Sequence, residues 1–590
     1  MQATAQSGVA VGFDYKVVVI GSGFGGAVVT CRTAKRWGNR VLLLERGKRY
    51  PMGSFPRSPR RMAENFWNLP FEDHDRPVRM KRKDQVRGLF DIRNGKHIDI
   101  VVSAGLGGGS LIYANVFLKP PAEVFDDGWP RDWRRDHLEK YYAIVKAVLG
   151  AGPIPEHRGD PRRKVRRARL FDEVAERYRR HHAPADIAVF FGNNRLAPTP
   201  IGRQEVNRYG AVQTSCTYCG ECDVGCNTHS KNTLDLNYLH VAEARYDAEI
   251  LTEHLATKIV PLNIRGDDDP SAHGEHGYRV YFLDLKAKAA DPKVDAERSV
   301  RTRRVVLSAG ALGSTELLMR CRDIEGTLPD IPAPLGRRFS GNGDFLIFAM
   351  SGKRKVDPNY GPVITRITDY NLFHEFQRDR AFILQDAAFP AFGAWFAMGA
   401  RPALSMVSTG WKAIRGAIDR IRHGASLGRV GFIFGDVLKD DPVYRSSVLL
   451  CMGLDKGTGR MALNDAGYLQ VDWPYRQNWP LYRAILRAAR GFGRHIGARW
   501  VLALPTWWWP FRNNVTVHAL GGCILADSPQ LGVTSAAPGH VGEVFGYTRL
   551  YVADGAIVPT ALGANPSATI AALAEMIAEE ITGLEPHPDL

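Results

Sequence analysis

Tyr15-Lys16-Val17-Val18-Val19-Ile20-Gly21-Ser22-Gly23-Phe24-Gly25-Gly26 sets a strand against a glycine turn. Residues 15–20 are short, apolar and β-branched, as a strand covered on both faces of a parallel sheet must be. AVVTCRTAKRW continues as a helix, and a second strand over 40–44 ends in Glu45. Gly21 permits the sharp turn, Gly23 lets backbone approach a pyrophosphate, and Gly26 lets helix pack close on strand, with Phe24 inside the turn. The helix N-terminus turns its positive dipole end toward phosphate. Glu45 stands 45 − 26 = 19 residues beyond Gly26, where an acid can bond a ribose hydroxyl. This order predicts an α/β dinucleotide-binding domain of Rossmann type. The motif alone suits FAD and NAD equally.

Three further segments narrow the choice. Gly105-Leu106-Gly107-Gly108-Gly109-Ser110-Leu111-Ile112-Tyr113-Ala114-Asn115 is a second glycine-rich loop. Arg304–Leu307 reads as a strand that runs through Ser308-Ala309-Gly310 into a small-residue turn and a helix, TELLMR. Near the C-terminus come His518-Ala519-Leu520-Gly521-Gly522, Leu550-Tyr551-Val552-Ala553-Asp554-Gly555, and Asn565-Pro566-Ser567 opening the helix AALAEMIAEEI.

With the N-terminal unit, these segments resemble the glucose–methanol–choline (GMC) family of FAD oxidoreductases, its cholesterol-oxidase-like branch above all. The matching segments are scattered from residue 15 to about 582, and roughly 345–510 match nothing nameable. The resemblance implies a discontinuous FAD domain over 12–60, 100–120, 205–345 and 511–590. A substrate domain built on an antiparallel sheet with helices would take 61–99, 121–204 and 346–510. Residues 376–387, 429–436 and 446–453 read as its strands, and Met461–Trp473 as a hairpin around Asn464-Asp465-Ala466-Gly467.

The same resemblance makes His518 the active-site histidine and Asn565 its partner. Oxidation of an alcohol removes a hydroxyl proton and a hydride; a histidine titrating near neutral suits the proton, and an amide can orient the alcohol oxygen. Gly21, Gly23, Phe24, Gly26, Glu45, Gly105, Gly109, Ser110, Asn115, Ala309 and Gly310 fall in the implied FAD site. Asp554 and Gly555 would hold the ribityl and phosphate region, and the helix begun at Pro566 would aim its N–H groups at the flavin pyrimidine edge. The branch also uses a substrate-domain glutamate, for which no position is assigned.

Cys216, Cys219, Cys222 and Cys226 have the spacing C-x2-C-x2-C-x3-C of a bacterial ferredoxin, though Asn227 replaces the proline that would follow. An iron–sulfur cluster, zinc and uncomplexed thiols all stand as readings. Some sugar dehydrogenases of the resembled family carry such a cluster. With a cluster the enzyme would be a dehydrogenase relaying electrons; without one, oxygen becomes the oxidant.

The 590 residues are 45% hydrophobic and 24% charged, which excludes a disordered, collagenous or disulfide-framework chain. No apolar run reaches the ~18–20 residues of a spanning helix, and the opening residues carry no export pattern. The expectation is a cytoplasmic protein, or one associated with the inner face of the membrane, with its thiols reduced. Net charge is +16, and residues 161–180 hold nine Lys/Arg against three acids. That stretch reads as a solvated helix face or as a steering surface for an acidic partner. Nucleic acid is not expected, since no binding module accompanies the charge. Residues 388–424 read as an apolar stretch with a basic amphipathic helix, and Trp507-Trp508-Trp509-Pro510-Phe511 as an aromatic cluster, either of which suits a lipid interface or packing on the chain itself.

Three functions follow as expectations. The first is FAD-dependent oxidation of a lipophilic alcohol, a sterol or long-chain alcohol, with oxygen, a quinone or a redox protein as electron acceptor. The second is a sugar or polyol dehydrogenase with an iron–sulfur relay. The third is a non-catalytic flavin- or lipid-binding protein, against which the intact His518 and Asn565 argue.

Overall fold

The computed structural model describes residues 12–68, 86–155, 160–291, 293–390, 442–508 and 512–590. Along the chain β1 (Val17–Ile20), α1 (Phe24–Trp37) and β2 (Val41–Glu45) come first, then α2 (Arg166–Arg177), β3 (His182–Pro184), β4 (Glu249–Thr252), β5 (Val305–Leu307) and α3 (Gly310–Met319). Next are β6 (Phe345–Met350), β7 (Arg366–Tyr370), β8 (Phe382–Ala387) and β9 (Ser447–Gly453). The last are α4 (Trp479–Ile496), β10 (Trp500–Ala503), β11 (Leu550–Val552) and α5 (Ser567–Thr582).

A five-stranded parallel sheet in the order β4-β2-β1-β5-β11 forms the first layer. β1 and β2 are buried at every residue, with α1 and the antiparallel strand His254–Pro261 packed on them, which is why their sequences do not alternate. α5, apolar around most of its circumference, packs on α1, and the buried Arg32 of α1 bonds Glu575 of α5 through two contacts of 2.8 Å. Strand order reverses direction at β1, so a crevice opens beyond the carboxyl ends of β1 and its neighbours.

The second layer is a six-stranded antiparallel sheet, β10-β6-β9-β8-β7-β3. Its odd-numbered residues in β6 and even-numbered ones in β8 (Phe345, Ile347, Phe382, Leu384) pack under α2 and α4. The opposite face, with Leu346, Phe348, Leu450, Ile383 and Ala387, turns to the core of the parallel-sheet layer. α4 carries Arg483, Arg487, Arg490 and Arg494 on its exposed side and stops at Gly497 in the left-handed conformation (φ 68°).

Several expectations change here. The strand read over 376–387 is strand only from Phe382; Arg378–Arg380 is a short helical turn. The basic stretch is not wholly solvated: Arg163 and Arg167 are buried, and Arg167 lies 2.9 Å from the equally buried Asp386. Trp507 is core, packed against Phe345 and Tyr482, while Trp508 is exposed. The hairpin at Met461–Trp473 forms as read, Asn464 N donating to Tyr468 O. The strand read at 429–436, nearly all of the stretch 388–424, and Trp509-Pro510-Phe511 lie outside the described residues. Among the described residues no helix is long and apolar enough to cross a membrane.

Candidate active site

The glycine turn after β1 forms one wall of the crevice. Gly21 has φ 96°, and a Cβ on Gly26 would lie 1.8 Å from the Gly21 carbonyl oxygen, so helix and turn meet at backbone distance. Gly23, Gly109 and Gly310 differ: a Cβ there would meet nothing within 4 Å. Three separated segments thus leave bare backbone along open space. The second glycine loop packs directly on the first, since a Cβ on Gly108 would fall 2.6 Å from Gly23 Cα, and Phe24 meets Tyr113 edge-on at 5.4 Å.

Glu45, at the carboxyl end of β2, is buried and accepts from Ser22 N (3.1 Å), Ser22 Oγ (2.5 Å) and Gly47 N (2.7 Å). Burial raises its carboxyl above the ordinary range against those bonds. Ser22 Oγ also accepts from Gly107 N, which ties the Gly105 segment to the first turn. Ser110 Oγ donates to Gly107 O and accepts from Leu234 N. Asp554, just past β11, accepts from Gly310 N (2.8 Å), Ser314 Oγ (2.5 Å) and Ala556 N (2.8 Å), and burial lifts its carboxyl to about 6. It fixes the Ala309-Gly310 turn and the Gly555 turn together. Asn115 is buried at φ 68°, and neither its Nδ2 nor its Oδ1 has a protein partner. Two buried unpaired amide atoms are costly to leave so.

His518 follows the short strand Asn514–Thr516, which pairs in parallel with Ile98–Ser103. Its Nδ1 lies 2.7 Å from Oδ1 and 3.0 Å from Oδ2 of Asp344, whose Oδ2 also accepts from Thr516 Oγ1 and Val517 N. The carboxylate is 3% exposed, and a carboxylate can only accept, so Nδ1 is the ring nitrogen that donates, and Nε2 has no hydrogen-bond partner among the described residues. Asp344 was not legible as a partner in the sequence. It sits in Gly341-Asn342-Gly343-Asp344 at the start of β6, and Asn342 in the same loop holds the chain ahead of Asn565: its Nδ2 donates to Ala564 O, and its Oδ1 accepts from Leu562 N and Gly563 N. Asn565 itself is buried, and its Oδ1 accepts from Gln385 Nε2 of β8 at 2.9 Å. Pro566 caps α5, whose N-terminal residue Ser567 donates to Val116 O beside Asn115. His518, Asn565 and Asn115 are thereby held by one network of loops.

The cysteines line a cavity of about 20 Å³ with Lys231, room for about one water molecule. Cys216 and Cys222 are buried and burial pushes the Cys222 thiol up to about 12, while Cys219 is exposed. Among the described residues no three or more His, Cys, Asp or Glu side chains form a group able to hold a metal ion, so nothing here supports the iron–sulfur or zinc reading. The loop is held as structure: Lys231 Nζ, 1% exposed, donates to Cys222 O (2.9 Å), Leu111 O (3.1 Å) and Tyr113 O (2.8 Å). Tyr218 O accepts from Gly361 N, linking the loop to the segment before β7.

Comparison with known proteins accords with this geometry. Two family models, both described as GMC oxidoreductase, match residues 15–322 and 507–574. A cholesterol oxidase of Acinetobacter baumannii is 28% identical, the match covering 95% of this chain and 93% of that protein. One of Mycobacterium tuberculosis is 27% identical over 96% of this chain and 90% of its own. A long-chain-alcohol oxidase of Arabidopsis thaliana is 22% identical over 96% of this chain and 66% of that protein. Among solved structures, pyridoxine 4-oxidase from Mesorbium loti superposes with a TM-score of 0.57 at 15% identity, covering 97% of this chain and 100% of that one, and shares the fold.

Proposed function

Because the chain belongs to the GMC oxidoreductase family and is an FAD-dependent oxidoreductase, we propose that it oxidises the CH–OH group of a lipophilic alcohol, a sterol or a long-chain alcohol. The observation that carries this reading is the Asp344–His518 pair, whose own loop, through Asn342, holds the chain just ahead of Asn565. The residues fit FAD: the bare backbone at Gly23, Gly109 and Gly310 leaves room for a group that a side chain would fill, and Asn115 buries two polar atoms that lack a protein partner. Gly21, Gly26, Glu45, Gly105, Ser110, Asp554, Gly555 and the start of α5 would hold it. Bound FAD supplies a two-electron hydride acceptor.

His518 Nε2, the ring nitrogen not engaged by Asp344, takes the hydroxyl proton as the C–H bond gives up its hydride. Asp344 orients the ring and stabilises the imidazolium that results. Asn565 positions the alcohol oxygen. Leu346, Phe348 and Leu450 are half-buried on the sheet face shared with Asp344, and an apolar ceiling of this kind favours a lipophilic alcohol over a sugar. With the cysteine loop read as structure, oxygen is the favoured acceptor, and a relay dehydrogenase is the alternative. The exposed arginines of α4 favour contact with an anionic lipid surface.

Anaerobic mixing with cholesterol, dodecan-1-ol and glucose tests the reading. We expect the flavin to bleach with one of the first two, and His518→Ala to retain FAD while slowing that bleaching at least ~10²-fold. Bleaching by glucose alone, or an unchanged rate in the variant, would overturn it.

A further inference from the structure

The antiparallel sheet lowers two polar side chains from one face. Gln385 of β8 pairs in register with Leu450 of β9, and Leu450 with Leu346 of β6, so the three form a row across the sheet. Asp344 leaves the same face two residues before Leu346. Asp344 meets His518, and Gln385 meets Asn565. The other side chains of that row, Ile367, Leu450 and Leu346, are aliphatic.

Gln385 is fully buried, and only half of its amide is used: Nε2 donates to Asn565 Oδ1, whereas Oε1 is buried with no partner. A leucine here would bury no unpaired acceptor, so a glutamine gains little for stability. What it does set is the state of Asn565. An asparagine amide can face a site with its oxygen or its NH₂, and the two are nearly equal in shape. With Oδ1 taken by a donor, Nδ2 is the atom left over, and among the described residues the Asn565 side chain forms no other hydrogen bond. The strand that carries Gln385 is itself immobilised one residue on, where Asp386 accepts from Thr365 N (2.7 Å) and Arg366 N (2.6 Å) and pairs with buried Arg167.

We propose that Gln385 is a positioning residue for the oxidation: it locks the Asn565 amide so that Nδ2 faces the reacting hydroxyl as a donor to the alcohol oxygen. This rests on the reading of Asn565 given under the proposed function. The reciprocal of the lock is a prediction about charge. A carboxylate at 385 cannot donate, so it would draw the Asn565 NH₂ toward itself and turn Oδ1 to the alcohol; a protonated carboxyl at 385 can donate and would restore the native orientation.

The experiment uses the FAD-loaded enzyme, with anaerobic reduction by dodecan-1-ol or cholesterol, whichever bleaches the wild type, followed in stopped flow. Asn565→Ala should slow reduction at least ~10²-fold, as loss of a preorganised donor does. Gln385→Leu should slow it about 10-fold while the thermal unfolding midpoint stays level, and in the Asn565→Ala background it should add nothing further. Gln385→Glu should recover rate as pH falls through the carboxyl range, a limb that wild type and Gln385→Leu both lack. Multiplicative losses in the double variant, an unchanged rate in Gln385→Leu, or a Gln385→Glu profile parallel to wild type would each overturn the lock. An unchanged rate in Asn565→Ala would instead overturn the functional reading beneath it.

Discussion

Asp344 and His518 lie 174 residues apart in sequence and 2.7 Å apart in space, carboxylate Oδ1 to imidazole Nδ1. The contact joins the first residue ahead of β6 to the loop after Asn514–Thr516, and so joins the sheet that roofs the crevice to the strands that wall it.

Asp344→Asn is expected to keep FAD and fold but slow flavin reduction by at least ~10²-fold, because an amide can donate to Nδ1 and so favour the wrong tautomer. Stopped-flow reduction together with FAD content checks this. Full rate in the variant would mean that the reaction does not depend on the Asp344 carboxylate at His518 Nδ1.

Two glycines of the first turn should fail in different ways. Gly23→Val meets no protein atom at its Cβ, so the chain should fold and lose FAD. Gly25→Ala would place its Cβ 1.5 Å from Ala553 O, so the chain should not reach the native state at all. FAD content and circular dichroism of each variant decide the matter; a Gly23→Val protein that stays yellow would remove Gly23 from the site.

Protein prepared without oxygen should contain iron at far below the ~3–4 atoms per chain that a cluster brings. Cys219→Ser, at the exposed position, should leave flavin reduction and oxygen turnover as they are. Stoichiometric iron with acid-labile sulfide would restore the relay dehydrogenase.

Lys231 carries the pH prediction. Burial pulls its ammonium down to about 8 from an ordinary value of about 10.4. Between these limits the unfolded chain keeps a proton that the folded one has released, so this group's contribution grows as pH rises through 8 to 10 and is lost as pH falls toward 8. The difference in unfolding free energy between wild type and Lys231→Met should therefore increase by up to about 2–3 kcal/mol from pH 8 to pH 10. Urea unfolding of both at the two pH values measures it, and a pH-independent difference would show that Lys231 keeps its charge in the fold.

The first turn was legible because its physics is local. Gly21, Gly26 and Glu45 occur in one βαβ unit, and each role follows from a spacing of a few residues. Asp344 and Gln385 were not, because each meets its partner only through sheet register, across 174 and 180 residues. Phe382–Ala387 is apolar save Gln385 and Asp386, and nothing in a strand's own alternation says that one amide points at another layer. The basic run misled for a related reason: Arg167 looks like its neighbours in sequence, and the partners that allow it inside, the carboxylate of Asp386 and the carbonyls of Tyr360, Pro362 and Val363, are reached only through the fold.

The common face that presents both Asp344 and Gln385 makes the sheet a poor module to exchange. A chimera that imports β6 to β9 from a relative to change what the enzyme accepts would also import the supports of His518 and Asn565, and its rate would move with its preference. Leu346, Phe348 and Leu450 offer a separable handle, since they share the face without bonding either residue. Selectivity is better altered one side chain at a time on that ceiling than by grafting the ceiling whole.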